Sequence, residues 1–308
     1  MMKIVLNLLR NIGRSLKMKN EKIDDQIDLG YALSDVVKEH EDLAYTIERL
    51  GSFNVLELQP ENFIWDCNST KYLTDRISFK SIHAPSDGLD LSSDNSHLKY
   101  ESILKTIDSM DLADNIGAQT LVIHPVNNMH LNPQERLIRK EFFLTTLAEN
   151  IAPHYIKNNH SYSICLENIE YPKYPATLEE ALTLNAEAST IMPVRMVLDI
   201  PHVWNSIRIL NENPDYYKDW THGFPIEESF EKYLRTFIEK HDDKIGIYHI
   251  AGFGTDPIRT HDPIRENTLN EEYKQLIDLI RKKPIVMEIH SPEYEHFIES
   301  YMTIRGIK

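Results

Sequence analysis

The segment Leu121–Val126, LVIHPV, ends an aliphatic run on a histidine and a proline. A strand of Leu, Val and Ile with no polar alternation is buried on both faces, so a polar residue at its tip goes wherever strand ends point. The same form returns at SIHAPS (81–86), ICLENIE (164–170), VLDIPH (197–202), IYHIAG (247–252) and VMEIHS (286–291). One buried strand after another delivers a single imidazole or carboxylate at its end.

Outward from these tips, strand-like runs occupy IDLGYAL (27–33), FNVLELQ (53–59), FKSIHAP (79–85), TLVIHPV (120–126), YSICLENI (162–169), VRMVLDI (194–200), IGIYHIA (245–251) and PIVMEIH (284–290). Helical patterns fall between and after them at 35–50, 68–76, 97–116, 133–157, 176–188, 227–240, 270–282 and 293–304. Eight βα units in order, with no Pro-, Gly- or Ser-rich linker, predict an α/β protein: a single (β/α)₈ TIM barrel over 27–308. A dinucleotide-binding sheet would need a glycine-rich turn after its first strand, and none is present. With 10 glycines in 308 residues, a phosphate cradle of glycine loops is not expected either.

No apolar run approaches the roughly 20 residues a bilayer requires, so stable membrane insertion is not expected. The two cysteines, Cys67 and Cys165, make no disulfide framework, and a reducing cytoplasmic location is the expectation. A net charge of −15 disfavours DNA as a partner, though a local basic groove or bound cations could offset the global field. Residues 1–26 form a short extension whose first twenty carry Lys3, Arg10, Arg14, Lys17 and Lys19 and no acid. Its apolar positions follow a helix period, which suits a packed lid or an upstream start before Met18 better than a membrane-surface helix.

In a (β/α)₈ barrel the C-terminal strand ends form one rim, where active sites lie. His83, His124, Glu167, Asp199, His249 and Glu288 end six consecutive strands, 32 to 50 residues apart, each gap fitting one βα unit. Singly, each is as well explained as a hydrogen-bonded histidine or a capping acid. Six in succession aimed at one point predict a metal site. His202, three residues past Asp199 on the loop into the next helix, and His261, in the loop after strand seven, extend the set. Imidazole and carboxylate without thiolate suit Zn²⁺, Mn²⁺ or Fe²⁺ better than Ca²⁺. Eight ligands exceed one ion's four to six positions, so two or three ions sharing carboxylates are expected. His40, His97, His130, His154, His160, His222, His241 and His296 read as ordinary surface residues, and His290 as undecided.

With these tips the chain resembles the xylose-isomerase-like barrels, and among them the endonuclease IV branch, over about residues 27–300. That resemblance implies three zinc ions on nine ligands, of which eight have counterparts here. His83, His124 and a bridging Glu167 resemble the first-metal set; Glu167, Asp199, His249 and Glu288 the second; His202 and His261 two ligands of the third. The ninth, an aspartate two residues before the last histidine, is replaced by Arg259, leaving Asp256 or Asp262 as substitutes. Segments that handle damaged DNA in that branch are also replaced: Ser86 and Leu89 follow His83, and ENIEYPK follows strand five.

The expected function is a divalent-metal-dependent hydrolase of a phosphodiester or phosphomonoester, on a small molecule rather than DNA. The alternative, implied by the sugar isomerases of the same superfamily, is a one-metal isomerase or epimerase of a sugar or sugar phosphate. There Glu167 and Glu288 would be the catalytic acid/base pair, with Arg259 and His202 binding substrate oxygens. A non-catalytic metal-binding barrel is the third option.

Overall fold

A computed structural model of the chain describes residues 29–33, 55–59, 80–127, 133–212, 230–253, 261–265, 271–289 and 294–306. The basic extension, the helical patterns at 35–50 and 68–76, and Cys67, Asp256, Arg259 and His290 lie outside the described residues.

The strands are β1 (Leu29–Leu33), β2 (Val55–Leu58), β3 (Ser81–His83), β4 (Thr120–Ile123), β5 (Ser163–Glu167), β6 (Val194–Asp199), β7 (Ile245–Ile250) and β8 (Ile285–Met287). Each pairs in parallel with its sequence neighbour, and β1 pairs with β8, closing the barrel. Because side chains alternate across a strand, each strand feeds two cores. Leu121 and Ile123, Ile164 and Leu166, Met196 and Leu198 face outward into one continuous cluster with the helices. Val122, Cys165, Val197, Ile247 and Val286 form a separate cluster within the barrel. Two residues beyond each of these stand His124, Glu167, Asp199, His249 and Glu288, so the same alternation turns them inward, above an apolar plug. Burial holds the Cys165 thiol at the plug's centre protonated, pushing its pKa up to about 12.

The described helices are α1 (Ser96–Ile116), α2 (Pro133–Thr146), α3 (Ala152–Asn158), α4 (Leu178–Ala188), α5 (Ile200–Glu212), α6 (Phe230–His241), α7 (Glu271–Ile280) and α8 (Tyr294–Arg305). Asn95 caps α1 by accepting from the amides of His97 and Leu98, and Gly117, at φ 70°, ends it in the left-handed conformation. The pattern at 133–157 is one helical segment with a π turn, Leu147–Ile151, between α2 and α3. Pro153 accounts for it: a proline has no N–H to donate and its ring crowds the carbonyl four residues back, so the preceding turn widens.

One correction concerns β6. The sequence pattern places a loop after Asp199 and the next helix at 227–240, but α5 starts directly at Ile200. Asp199 is its cap, its Oδ1 accepting the amide of His202, with Pro201 in the first turn where a missing N–H costs nothing. Among the described residues no helix is long and apolar enough to cross a membrane.

Candidate metal centre at the barrel rim

Glu167, at the end of β5 and fully buried, is the hub. Its Oε2 lies 3.1 Å from His83 Nε2 and 3.3 Å from His124 Nε2. Its Oε1 lies 3.4 Å from His249 Nδ1 and 3.5 Å from His202 Nδ1. Asp199 Oδ2 is 3.2 Å from His261 Nε2, and its Oδ1 is 3.5 Å from His202 Nδ1. Glu288 Oε2 is 2.9 Å from His249 Nδ1 and 3.7 Å from His261 Nε2. Except at His202, whose Nδ1 is turned to a backbone carbonyl, spacings near 3 Å are those of neighbouring donors on one transition-metal ion with bonds of about 2.0–2.2 Å.

The donors sort into three overlapping groups, each with its ligand atoms within 4.8 Å of one another: His83, His124 and Glu167; Glu167, Asp199, His249 and Glu288; Asp199, His202 and His261. Glu167 belongs to two and Asp199 to two. All eight metal-ligand residues expected from the sequence therefore converge. Arg259 lies outside the described residues, and Asp262 joins none of the groups.

Ring orientations are fixed from behind. His83 Nδ1 sits 2.8 Å from the Ala84 carbonyl and His202 Nδ1 2.9 Å from that of Asn168. A carbonyl only accepts, so both Nδ1 atoms carry hydrogen, and in the neutral ring Nε2 is left as a lone pair. For His83 that lone pair faces a carboxylate. Asn168 ties β5 to β6, donating to the Asp199 carbonyl at 2.8 Å and accepting the Asp199 amide at 2.9 Å.

The electrostatics call for positive charge. Burial works against protonating His83, yet Glu167 overrides it and raises its pKa to about 10. Burial pushes the neighbouring His124 the other way, below its ordinary value, against the pull of Glu167. With ring centroids 4.8 Å apart, only one of these imidazoles is cheaply charged. Burial also raises Asp199 to about 8, while Glu167 and Glu288, opposed by burial, are held well below the usual carboxylate range by histidines. His124 Nδ1 is buried without a hydrogen-bond partner, at a cost of about 1–3 kcal/mol. Glu167 Oε1 and His249 Nδ1 meet only charged neighbours, and this donor set would be satisfied by divalent cations.

Two acids here carry no clear mark in the sequence analysis. Glu57, on β2 and fully buried, accepts from Ser81 Oγ at 2.7 Å and lies 3.3 Å from His249 Nε2. It gives His249 the carboxylate backing typical of metal-bound histidines. Its signal is an acid inside the aliphatic run VLEL. Glu170 lies 3.1 Å from His202 Nε2. Burial opposes its ionisation, but His202 and Lys173 hold its pKa down at about 2. A loop carboxylate three residues past a strand tip has no signature in the sequence.

The loop carrying His261 is pinned by Gly252, whose amide donates to the Asp262 carbonyl at 2.7 Å. A Cβ there would meet the Pro263 carbonyl oxygen at 2.4 Å, so only glycine allows the two backbones this close.

Fold and site together define a parallel TIM barrel with a candidate metal centre at its rim. No family model and no curated protein sequence matches the chain. Among solved structures, a D-tagatose 3-epimerase-like protein superposes with a TM-score of 0.67 at 19% identity, over 91% of this chain and 97% of that one. The 3-keto-D-glucoside 4-epimerase YcjR from E. coli gives 0.62 at 12% identity over 91% and 99%. Endonuclease IV from Thermus thermophilus gives 0.59 at 15% identity over 91% and 97%.

Proposed function

We propose that this barrel is a multinuclear metal-dependent enzyme that hydrolyses a phosphodiester or phosphomonoester of a small molecule. The observation that carries the proposal is His124, whose Nε2 meets Glu167 Oε2 at 3.3 Å beside His83 and whose Nδ1 is buried without a hydrogen-bond partner. A one-ion site built on Glu167, Asp199, His249 and Glu288 leaves both histidines without a task.

His83, His124 and Glu167 would hold one ion, the four-residue group a second, and Asp199, His202 and His261 a third. Zn²⁺, Mn²⁺ or Fe²⁺ suits these donors, and such ions supply an acidified water and a polarised phosphoryl oxygen. The chain's own residues set the geometry. Glu167 and Asp199 fix the spacing between groups. Glu57 backs His249, and Gln59 orients Glu288 by donating to its Oε1 at 2.9 Å. The cations, not the acidic barrel, would attract an anionic substrate; with a net charge of −15, DNA is disfavoured.

A second reading is a one-ion sugar isomerase or epimerase, with Glu167 and Glu288 moving the proton and Arg259 and His202 on substrate oxygens. The names of the solved neighbours favour it over hydrolysis, since most are sugar epimerases or isomerases. The two part on His124→Ala. Hydrolysis predicts loss of about one ion per chain and a fall in phosphoester turnover by orders of magnitude. Unchanged metal content with ketose turnover intact selects the isomerase. Metal bound by a protein inert toward both substrate classes would leave a non-catalytic barrel.

A further inference from the structure

A second group of metal-ligand type lies far from the rim. The helices of a βα barrel run antiparallel to its strands, so the C-terminal ends of α1 and α3, and the turn entering β5, lie at the opposite end of the barrel from the rim. There Asp111 of α1, His154 of α3 and His160 of the following turn bring three ligand atoms within 4.8 Å of one another. In the sequence both histidines read as surface residues. The structure corrects this for His160, whose side chain is 1% exposed. Asn159, at φ 52°, ends α3 in the left-handed conformation and folds His160 back beneath the helix, its ring 5.5 Å from that of His154 and 5.2 Å from that of Tyr162.

Two features of this pocket ask for a cation. His160 Nδ1 is hydrogen-bonded to the Asp114 carboxylate, which fixes a hydrogen on Nδ1 and, in the neutral ring, leaves Nε2 as a lone pair. That Nε2 is buried with no hydrogen-bond partner. A carboxylate behind one ring nitrogen and an open lone pair on the other is the arrangement that supports a metal-bound histidine. His154 Nε2 lies 3.0 Å from both Asp111 Oδ1 and the side-chain nitrogen of Asn158. His154 Nε2 and Asp111 Oδ1 are thus placed as two neighbouring donors, between which a cation would sit.

We propose that Asp111, His154 and His160 form a second, structural binding site for a Zn²⁺-class transition-metal ion, with Asp114 positioning His160 and water completing the coordination. Donors around a tetrahedral ion lie about 3.3 Å apart for bonds near 2.0–2.1 Å. The Asp111 side chain, 55% exposed, has room to close the difference. The ion would clasp the end of α1 to the end of α3 and the entry to β5, segments separated in sequence but adjacent in space. This site is independent of the rim proposal, since the two share no residue.

The test uses the full chain, stripped with chelator, reloaded with Zn²⁺ and freed of excess. Ions per chain are counted by elemental analysis for the wild type, Asp111→Ala and His154→Ala. Both substituted side chains are partly exposed, so folding should stay intact, checked by circular dichroism. Each substitution is expected to remove one ion per chain and part of the Zn²⁺-dependent rise in Tm. Asp114→Asn should weaken Zn²⁺ binding at this site about 10- to 100-fold without removing it. Equal stoichiometry and equal Zn²⁺-dependent Tm in wild type, Asp111→Ala and His154→Ala would overturn the proposal. So would a loss that spreads to the ions removed by His124→Ala, because the site would then not be separate.

Discussion

Glu57→Gln isolates a carboxylate that touches no candidate ligand group except through His249. The substitution keeps shape and volume, so it opens no cavity, as alanine would. What it removes is the negative charge 3.3 Å from His249 Nε2. Burial disfavours charge on His249, and Glu57 and Glu167 overcome it, raising its pKa well above the ordinary value. Glu57 therefore strengthens His249 as a donor by holding hydrogen on Nε2 and electron density on Nδ1, the atom facing Glu288 and Glu167. Carboxylates that back a ligand histidine in this way are worth about 10- to 100-fold in metal affinity, or about 1.4–2.7 kcal/mol at 1.4 kcal/mol per decade. The assay is competition between the stripped protein and a chromogenic chelator of known affinity. Glu57→Gln should bind the Glu167, Asp199, His249 and Glu288 ion about 10- to 100-fold more weakly, with total capacity unchanged at saturation. Affinity equal to wild type would refute the role given to Glu57.

Metal uptake at neutral pH should release protons, because metal-free His83 titrates at about 10 and Asp199 at about 8. Titration calorimetry in two buffers of different ionisation heat should find more than one proton per chain. Both of those folded-state values are raised, so the stability they give the metal-free protein is full below the unfolded pKa and lost as pH climbs through the folded one. The Tm of stripped protein should thus fall between about pH 4 and 10 while that of loaded protein holds; parallel curves would contradict this. Glu167→Gln should abolish turnover and lower metal content, since an amide is a far weaker ligand; full activity with full metal would remove both enzymatic readings. Gly252→Ala should destabilise the chain by about 1–3 kcal/mol through the clash with Pro263, read as a lower denaturation midpoint.

The rim was legible because parallel strands buried on both faces write themselves as aliphatic runs, and the period-2 alternation that turns Val122, Cys165 and Val197 inward turns the residues two further on inward as well. His83, His124, Glu167, Asp199, His249 and Glu288 could therefore be read from position alone. Residues placed by tertiary contact could not. Glu57 looks like one polar position in an alternating strand, and only closure of the barrel between β1 and β8 shows that it stands behind His249. His202 reads as a loop residue because Asp199 suits a strand tip and a helix cap equally well, and it serves as both. His160 looks exposed within the polar run KNNHSY, since nothing there announces the left-handed turn at Asn159 that buries its ring.

The central claim, that the rim is multinuclear, is tested most directly by anomalous diffraction at the metal's absorption edge from crystals of loaded protein. The account predicts a peak bounded by His83, His124 and Glu167 as well as one bounded by Glu167, Asp199, His249 and Glu288. A single rim peak in the four-residue group, with none beside His124, would contradict it.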